Sequence, residues 1–392
     1  MNRVFVKGDV TRYLLHPWVY SNNVINGDAE KGDCVEVYTK NKKFLGSAIY
    51  NPDSSISLRF YSRDKEELDY LAIKKRIIIA LKRRRLFFGE GDSFRVVFSE
   101  SDMLPGLIID KYGDGVVVQI NSYGMEKRRR DVFNAILDVL DPVFLYEKST
   151  SYARLQEKLK PREKLIFKKF EDLNLSEYII EEDGIKIMVD IEKGQKTGYF
   201  LDQRINRRKI EKWAEGATGL DLFSYTGGFT LRMLKRMRKV YAVDISEDAL
   251  NILKKNLQLN NFSNDRCLAE KKDVFEFLDE AVYYKIKFDF IVIDPPALIR
   301  KAEGKRKAIN AYNRLLRSSI KLLSKGGAIA IFSCSNYIKW EDMYNILKEA
   351  TGYSGRNFVI LEMMSQSPDH PVLSTFPESE YLRGFLIKEV IP

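Results

Sequence analysis

The amino-acid sequence predicts an α/β protein: a parallel sheet wound with helices fills its C-terminal half, after a small N-terminal β-barrel and an α+β middle region. Three observations carry that expectation. Beyond about residue 185, the apolar runs GLDLFSY (219–225), KVYAVDI (239–245), FDFIVIDPP (288–296) and GAIAIFSC (327–334) are each followed by a helical stretch. Continuous apolar strands alternating with helices indicate a parallel sheet buried on both faces. Residues 1 to about 70 instead hold short alternating strands broken by Gly, Asn and Asp, the pattern of a barrel. At 392 residues the chain exceeds one ordinary domain, and two or three are expected.

The first region, 1–70, carries the strands GDCVEVYT, KFLGSAIYN and ISLRFYS. The second, 74–180, opens with KKRIIIALKRRR (74–85), seven basic residues in twelve. At helical spacing it reads as an amphipathic helix with Ile77, Ile78 and Leu81 inward and the basic groups outward. FRVVFSE and GLIIDKYGDGVVVQINS follow as a hairpin-like pair turned at YGDG, then a helix over about 125–139 and the strand PVFLYEKS. The charged run RLQEKLKPREKLIFKKFEDLNLSE (154–177) reads as a mobile or exposed connector. The third region, 185–392, ends in a strand pair, NFVILEMM and EYLRGFLIKEV.

Composition narrows the chemistry. The net charge of +10 and a pI near 9.1 favour a polyanionic partner, and the basic helix with EKRRR (126–130) reads as a nucleic-acid footprint. Such contacts supply affinity without reading sequence. No window is apolar for long enough to span a bilayer, and the start MNRVFVKGDVTRYL has no apolar signal core, so no membrane association is expected. Three cysteines of unrelated spacing form neither a disulfide framework nor a CxxC metal site, which makes a reducing cytosol the default. Two histidines argue against a His-based zinc site or a Ser-His-Asp triad, and no metal is expected.

In a doubly wound sheet, ligands sit beyond the carboxyl ends of the strands. Five segments end there with suitable chemistry. In DLFSYTGGF a strand closes on Asp221, and Thr226, Gly227 and Gly228 open a helix, with Phe223 and Tyr225 in the same turn. The glycines allow a close approach of backbone to ligand. This is not GxGxxG, so a dinucleotide has no proper cradle and a dehydrogenase is disfavoured. VYAVDIS places Asp244 about 20 residues on, where an acid bonds ribose hydroxyls. Ser246 then caps a helix with Glu247 and Asp248 in its first turn. Asp273, in EKKDVFEFL, ends the third strand as an acceptor for an adenine amino group. Asp294, Pro295 and Pro296 close the fourth strand, where two prolines stiffen the loop and leave carbonyls outward beside a carboxylate. Cys334 ends the fifth strand, flanked by serines. Cys34 and Cys267 read as buried small hydrophobes, whereas the position of Cys334 reads as that of a nucleophile.

The order and spacing of these segments resemble class I S-adenosylmethionine-dependent methyltransferases over roughly residues 185–392. GQKTGYFLDQRINRR (194–208), DLFSYTGGF, IDPPA and FSCSN, with HPWVYSNNV and VFSESDMLPGLIIDKYGDGVVVQI, extend the likeness over essentially the whole chain. They resemble the large-subunit ribosomal RNA cytosine-5 methyltransferases of bacteria and archaea. The resemblance implies a PUA RNA-binding domain (1–70), an α+β middle domain (74–180) and a Rossmann-like seven-stranded catalytic domain (185–392) with an antiparallel last strand. It implies S-adenosyl-L-methionine as cofactor and large-subunit ribosomal RNA as partner, and it is compatible with a homodimer. It implies that Gln203 and Arg204 lie near the methionine end of the cofactor, with Arg204 pairing its carboxylate. Tyr199 and Phe200 would line the cofactor or base pocket.

By the same resemblance, Asp294, Pro295 and Pro296 hold the edge of a flipped base, and Cys334 attacks C6 of a cytosine so that C5 takes the methyl. Many relatives carry a second cysteine in the loop after the fourth strand. Here that loop reads IDPPALIR, and Cys334 would act alone. Asp202 reads as an N-cap. His370, with Asp369 in SPDHP (367–371), reads first as part of a structured turn, with RNA contact or proton movement as the alternative. The rival functions are N-methylation of guanine without a covalent intermediate, and a non-catalytic RNA-binding or assembly protein.

Overall fold

The computed structural model describes residues 1–8, 13, 16–299 and 302–391, so the opening stretch MNRVFVKGDVTRYL lies partly outside the described residues. The chain folds into two compact units. The N-terminal unit comprises Met1–Glu181, Val189–Leu201 and Pro368–Ser379. The C-terminal unit comprises Glu182–Met188, Asp202–Ser367 and Glu380–Pro392.

Six strands open the N-terminal unit: β1 (Asn2–Val6), β2 (Trp18–Tyr20), β3 (Val24–Gly27), β4 (Cys34–Thr39), β5 (Phe44–Tyr50) and β6 (Ile56–Ser62). They form one sheet in the order β2-β6-β5-β4-β1-β3, with β1 and β4 parallel and the other ladders antiparallel. Alternation puts Val4, Val35, Val37, Ala48 and Leu58 into one core. A second sheet follows: β7 (Phe94–Phe98), β8 (Leu107–Tyr112), β9 (Gly115–Ile120), β10 (Phe144–Ser149) and β11 (Arg162–Lys168), in the order β11-β10-β9-β8-β7. As the YGDG signal predicts, β8 and β9 are joined by the two residues Gly113 and Asp114, with Gly113 at φ 54°. Ile49 and Tyr61 of the first sheet share a core with Ile73, Phe94 and Val118, so the two sheets belong to one packed unit.

Three expectations fail here, each through partners distant in the sequence. The run 154–177 is exposed over most of its length, as expected, but it is not only a connector. It supplies part of the helix Tyr152–Gln156 and then β11, which pairs with β10 from Phe144↔Lys168 to Ser149↔Arg162. A Lys-rich strand is tolerated at a sheet edge, where one flank stays in solvent. The helix expected over 125–139 is two, Tyr123–Lys127 and Arg129–Leu140, divided at Arg128. The Arg128 guanidinium donates to the carbonyls of Leu68 (2.8 Å), Gly32 (2.8 Å) and Gly124 (3.1 Å). The basic helix is Tyr70–Arg84, and Ile77 is fully buried as expected. However, Arg84 also points inward and is 1% exposed. It makes two 2.6 Å bonds to Asp102 and donates to the carbonyls of Arg95 (3.0 Å) and Asp369 (2.9 Å). A buried guanidinium is tolerated only when its donors are met in this way.

A two-stranded ribbon, β12 (Tyr178–Glu182) and β13 (Ile185–Val189), precedes a seven-stranded sheet. That sheet contains β14 (Thr218–Leu222), β15 (Lys239–Asp244), β16 (Cys267–Lys271), β17 (Phe288–Ile293), β18 (Leu323–Ser333), β19 (Phe358–Ser365) and β20 (Arg383–Glu389). Its order is β16-β15-β14-β17-β18-β20-β19. The ladders from β16 to β18 are parallel, and β20 is antiparallel to both β18 and β19, as the resemblance implied. Leu220, Ile291, Ile293, Ile329 and Ile331, all fully buried, form the central core of this unit. β14 lies between β15 and β17, so the strand order reverses beside it, and ligands collect at the carboxyl ends around such a point. No helix among the described residues is long and apolar enough to cross a membrane.

Candidate active site

The turn after β14 is strained. Phe223 (φ 64°) and Tyr225 (φ 49°) both adopt left-handed backbone, and Gly227 follows at φ 87°. Non-glycine residues in that region cost free energy and persist where surrounding bonds enforce them. Here the Tyr225 amide donates to Asp244 Oδ2 (2.9 Å), and the Ser224 amide donates to the Val243 carbonyl (3.1 Å). Gly227 is required twice over: a Cβ there would stand 2.1 Å from Leu253 Cδ1, in addition to the left-handed φ. The helix Gly228–Leu234 starts immediately, as the sequence predicts.

Asp244 is the last residue of β15. Its second oxygen accepts from the Ser246 amide (2.8 Å), so one carboxylate ties the ends of β14 and β15 together. Ser246 caps the helix Glu247–Leu259 by accepting from the Ala249 amide (3.2 Å). Asp221 lies fully buried one residue before the end of β14. Thr230 donates its hydroxyl to one Asp221 oxygen (2.6 Å), and the other has no protein partner among the described residues. Burial pushes its carboxyl up to about 7, and the negative charges of Asp294 and Asp244 add to the shift. Three acidic side chains thus gather at the strand ends, and their mutual repulsion favours the protonated form of Asp221.

Asp294 follows β17 directly, and Gln203 donates its side-chain amide to Asp294 Oδ1 (3.1 Å). Pro295 is buried while Pro296 is exposed. On the adjacent strand, β18 ends at Ser333, and the half-buried Cys334 comes next. Its thiol donates to the carbonyl of Pro295 at 3.6 Å. The thiol and the Asp-Pro-Pro turn are therefore direct neighbours. Cys267 is buried, which pushes its thiol up to about 12, and Cys34 is buried as well.

Other predicted residues are placed differently. Strand β16 ends at Lys271, so Asp273 does not close it. Asp273 instead caps the helix Val274–Tyr283, accepting from the Phe275 (2.8 Å) and Glu276 (3.3 Å) amides. Asp202 is not an N-cap. It lies in the 3-10 turn Leu201–Gln203 and accepts from the Tyr381 hydroxyl (2.6 Å). Arg204 is 4% exposed, with Nη2 on Asp183 at 2.8 Å. Tyr199 and Phe200 belong to the N-terminal unit. The Tyr199 amide donates to the Tyr112 hydroxyl (3.1 Å), and Lys196 lies 4.3 Å over the half-buried Phe200 ring. His370 is 2% exposed beside Asp369 (3.0 Å), within the N-terminal unit, as suits the structured turn.

Two residues escape sequence reasoning. Ile245, right after Asp244, is 70% exposed, an apolar side chain at a strand end. Its signal was present in VYAVDIS but reads as ordinary strand. Tyr312, on the helix Lys305–Leu322, is fully buried, which raises its phenol well above the usual range, and the charges of Cys334 and Asp294 add to the shift. Nothing local in AINAYNRLL marks it. Among the described residues, no group of three or more His, Cys, Asp or Glu side chains is arranged to hold a metal ion.

Comparison with known proteins bears on this geometry. Residues 139–378 match a family described as S-adenosylmethionine-dependent methyltransferase, and residues 13–63 match a PUA-like domain. A protein of Tolumonas auensis named ribosomal RNA large subunit methyltransferase I is 36% identical, over 99% of this chain and 99% of that one. A protein of Aeromonas hydrophila with the same name is 35% identical over 95% of each. Among solved structures, SMU.776, described as a methyltransferase complexed with SAH, shares the fold: TM-score 0.85 at 22% identity, over 99% of this chain and 100% of that one.

Proposed function

We propose that this chain, which belongs to the S-adenosylmethionine-dependent methyltransferases and among them to the ribosomal RNA large subunit methyltransferase I family, methylates C5 of a cytosine in large-subunit ribosomal RNA. Bound S-adenosylmethionine supplies an electrophilic methyl group on a cationic sulfur. The residues present fit such a ligand. The buried hydroxyls of Ser224 and Thr226 and one oxygen of Asp221 lack protein partners among the described residues, and the Asp221, Asp244 and Asp294 side chains favour positive charge nearby.

In this reading Asp244 keeps lone pairs for the ribose hydroxyls, and Ile245 offers an apolar face to a flat ring. Phe223, Tyr225, Thr226, Gly227 and Gly228 form the turn that the ligand approaches. Asp273, already holding its helix, serves adenine only through its remaining lone pairs. Gln203, bonded to Asp294, is the better candidate of its pair, because the Arg204 charge is answered by Asp183.

Asp294 accepts an N–H from the target base or shares a proton with its ring nitrogen, and Pro295, Pro296 and Phe200 are the proposed base-contacting residues. The Cys334 thiol, once deprotonated, adds to C6. The electron pair moves to C5, which takes the methyl. The C5 proton then leaves to a base and the thiolate is expelled, restoring the ring. We assign the reaction to the cytosol, where the thiol stays reduced.

The observation that carries this reading is the 3.6 Å contact between Cys334 Sγ and the Pro295 carbonyl, which supports a nucleophile beside the base-holding turn. The test is methyl transfer to unmodified ribosomal RNA by wild type and by Cys334→Ala. Activity should fall roughly a thousandfold or more, as when a covalent nucleophile is removed, with cofactor affinity little changed. Undiminished transfer, with methylguanine as the product, would overturn it.

A further inference from the structure

We infer that the N-terminal unit carries an RNA-backbone site of its own, a basic crevice built from residues outside the methyl-transfer chemistry. The inference rests on the reading of ribosomal RNA as substrate. The crevice has a volume of about 730 Å³ and is lined by Lys31, Lys127, Arg154, Lys158, Lys160 and Arg162. Against these six cationic side chains stand two lining carboxylates, Glu30 and Glu126.

The crevice is organised around a buried cation. Arg154, 2% exposed, donates to the Ile120 carbonyl (2.6 Å), to Glu126 (2.9 Å) and to the Lys160 carbonyl (2.7 Å). The Leu159 amide returns a bond to the Arg154 carbonyl (3.1 Å), and Leu159 is buried. The turn 158–160 is therefore clamped at its backbone, with Lys158 in left-handed conformation at φ 58°. Both flanking lysines are exposed and make no ion pair among the described residues.

The remaining acids are already engaged. Glu126 meets Arg154, Arg129 (3.6 Å) and Arg162 (3.6 Å). Lys31 pairs with Asp53 (2.9 Å) and lies 4.3 Å over the Tyr123 ring, and Lys127 pairs with Asp33 (2.7 Å). Asp53 also feels the charge of Lys158. A concave, net-positive site with two unpaired lysines on a rigid turn fits consecutive phosphates of a polyanion. Another cavity of this unit, about 750 Å³, sets Asp64, Glu66 and Asp102 against Arg63, Lys75, Arg76 and Arg83, so its charge is close to balance.

The test uses the full chain, an unmodified ribosomal RNA transcript, and the double variant Lys158→Gln/Lys160→Gln. RNA affinity near 0.1 M salt should fall about tenfold, and the slope of log K against log salt should shrink by about 1.4, the value for two phosphates of a single strand. Cofactor affinity should not move. A control pair on the C-terminal unit, Lys285→Gln/Lys348→Gln, matches the loss of net charge. An effect no larger than the control's overturns the crevice, and so does a loss of affinity with an unchanged slope. Failure of the wild type to methylate the RNA would overturn the reading of function, while the binding comparison would still decide the crevice.

Discussion

Two stretches of this chain are dense in positive charge, and they end in opposite situations. In the helix Tyr70–Arg84 the acids come to the cations. Lys74 meets Asp138 (2.9 Å), Arg76 meets Glu66 (2.5 Å), and Arg83 and Arg84 share Asp102. In the turn 158–160, two lysines stay exposed while a buried arginine beneath them takes the carboxylate. The denser run in sequence is thus the more neutralised one. Charge density along a chain sets how many cations exist, and the fold decides how many remain for a partner.

The largest expected effect tests the neutralised side. Replacing Arg84 by Ala leaves the buried Asp102 with Arg83 as its remaining cation, and breaking a buried pair costs about 3–5 kcal/mol, measured by denaturant unfolding. Arg84→Lys should recover only part of this, because an ammonium cannot make both 2.6 Å bonds. If Arg84→Ala weakened RNA binding and left stability intact, the helix would be the interface and the comparison would reverse.

Asp221 sharpens the contrast as the acid without a cation. Its folded carboxyl holds a proton up to about 7, against an ordinary value of 3.8. The folded chain therefore binds the extra proton in that window, and stability falls as pH rises through it, by up to ~1.4 kcal/mol per pH unit. Asp221→Asn should flatten that slope, seen in unfolding curves between pH 4 and 7. A slope unchanged in the variant would assign it to other groups. By contrast, Glu182 is buried beside Arg207 and Arg232, which hold its carboxyl below the usual range, so it adds no such slope there.

Next comes the tenfold loss of RNA affinity for the Lys158 and Lys160 pair, with folding stability within about 0.5 kcal/mol of wild type. The smallest effect belongs to the exposed helix lysines. Lys75→Gln/Lys82→Gln should change RNA affinity less than about threefold. A larger loss than in the crevice pair would move the footprint back to the helix.

Much of the site was legible beforehand because its signals are local. A parallel strand buried on both faces announces itself as an apolar run, and the residue after it lies at the ligand end of the sheet. That is enough to bring Asp244, Asp294 and Cys334 to one side, and to expect Gly227 where only glycine fits. The same reasoning missed Tyr312, whose link to Cys334 and Asp294 comes from another element. It also misjudged Asp273 and Asp202, because whether a carboxylate caps a helix or accepts a distant hydroxyl depends on one or two residues of register.

By itself, then, the sequence determined the alternation of strands and helices beyond residue 219, the glycine turn, the Asp-Pro-Pro end and the strand-ending cysteine. Each follows from backbone sterics and apolar periodicity within a short window. Only the tertiary structure decided which charges are spent. Arg84 meets Asp102 across 18 positions, Gln203 meets Asp294 across 91, and Arg154 meets Glu126 across 28. Coulomb attraction and desolvation depend on distance in space and on burial, and neither is written in any local stretch of residues.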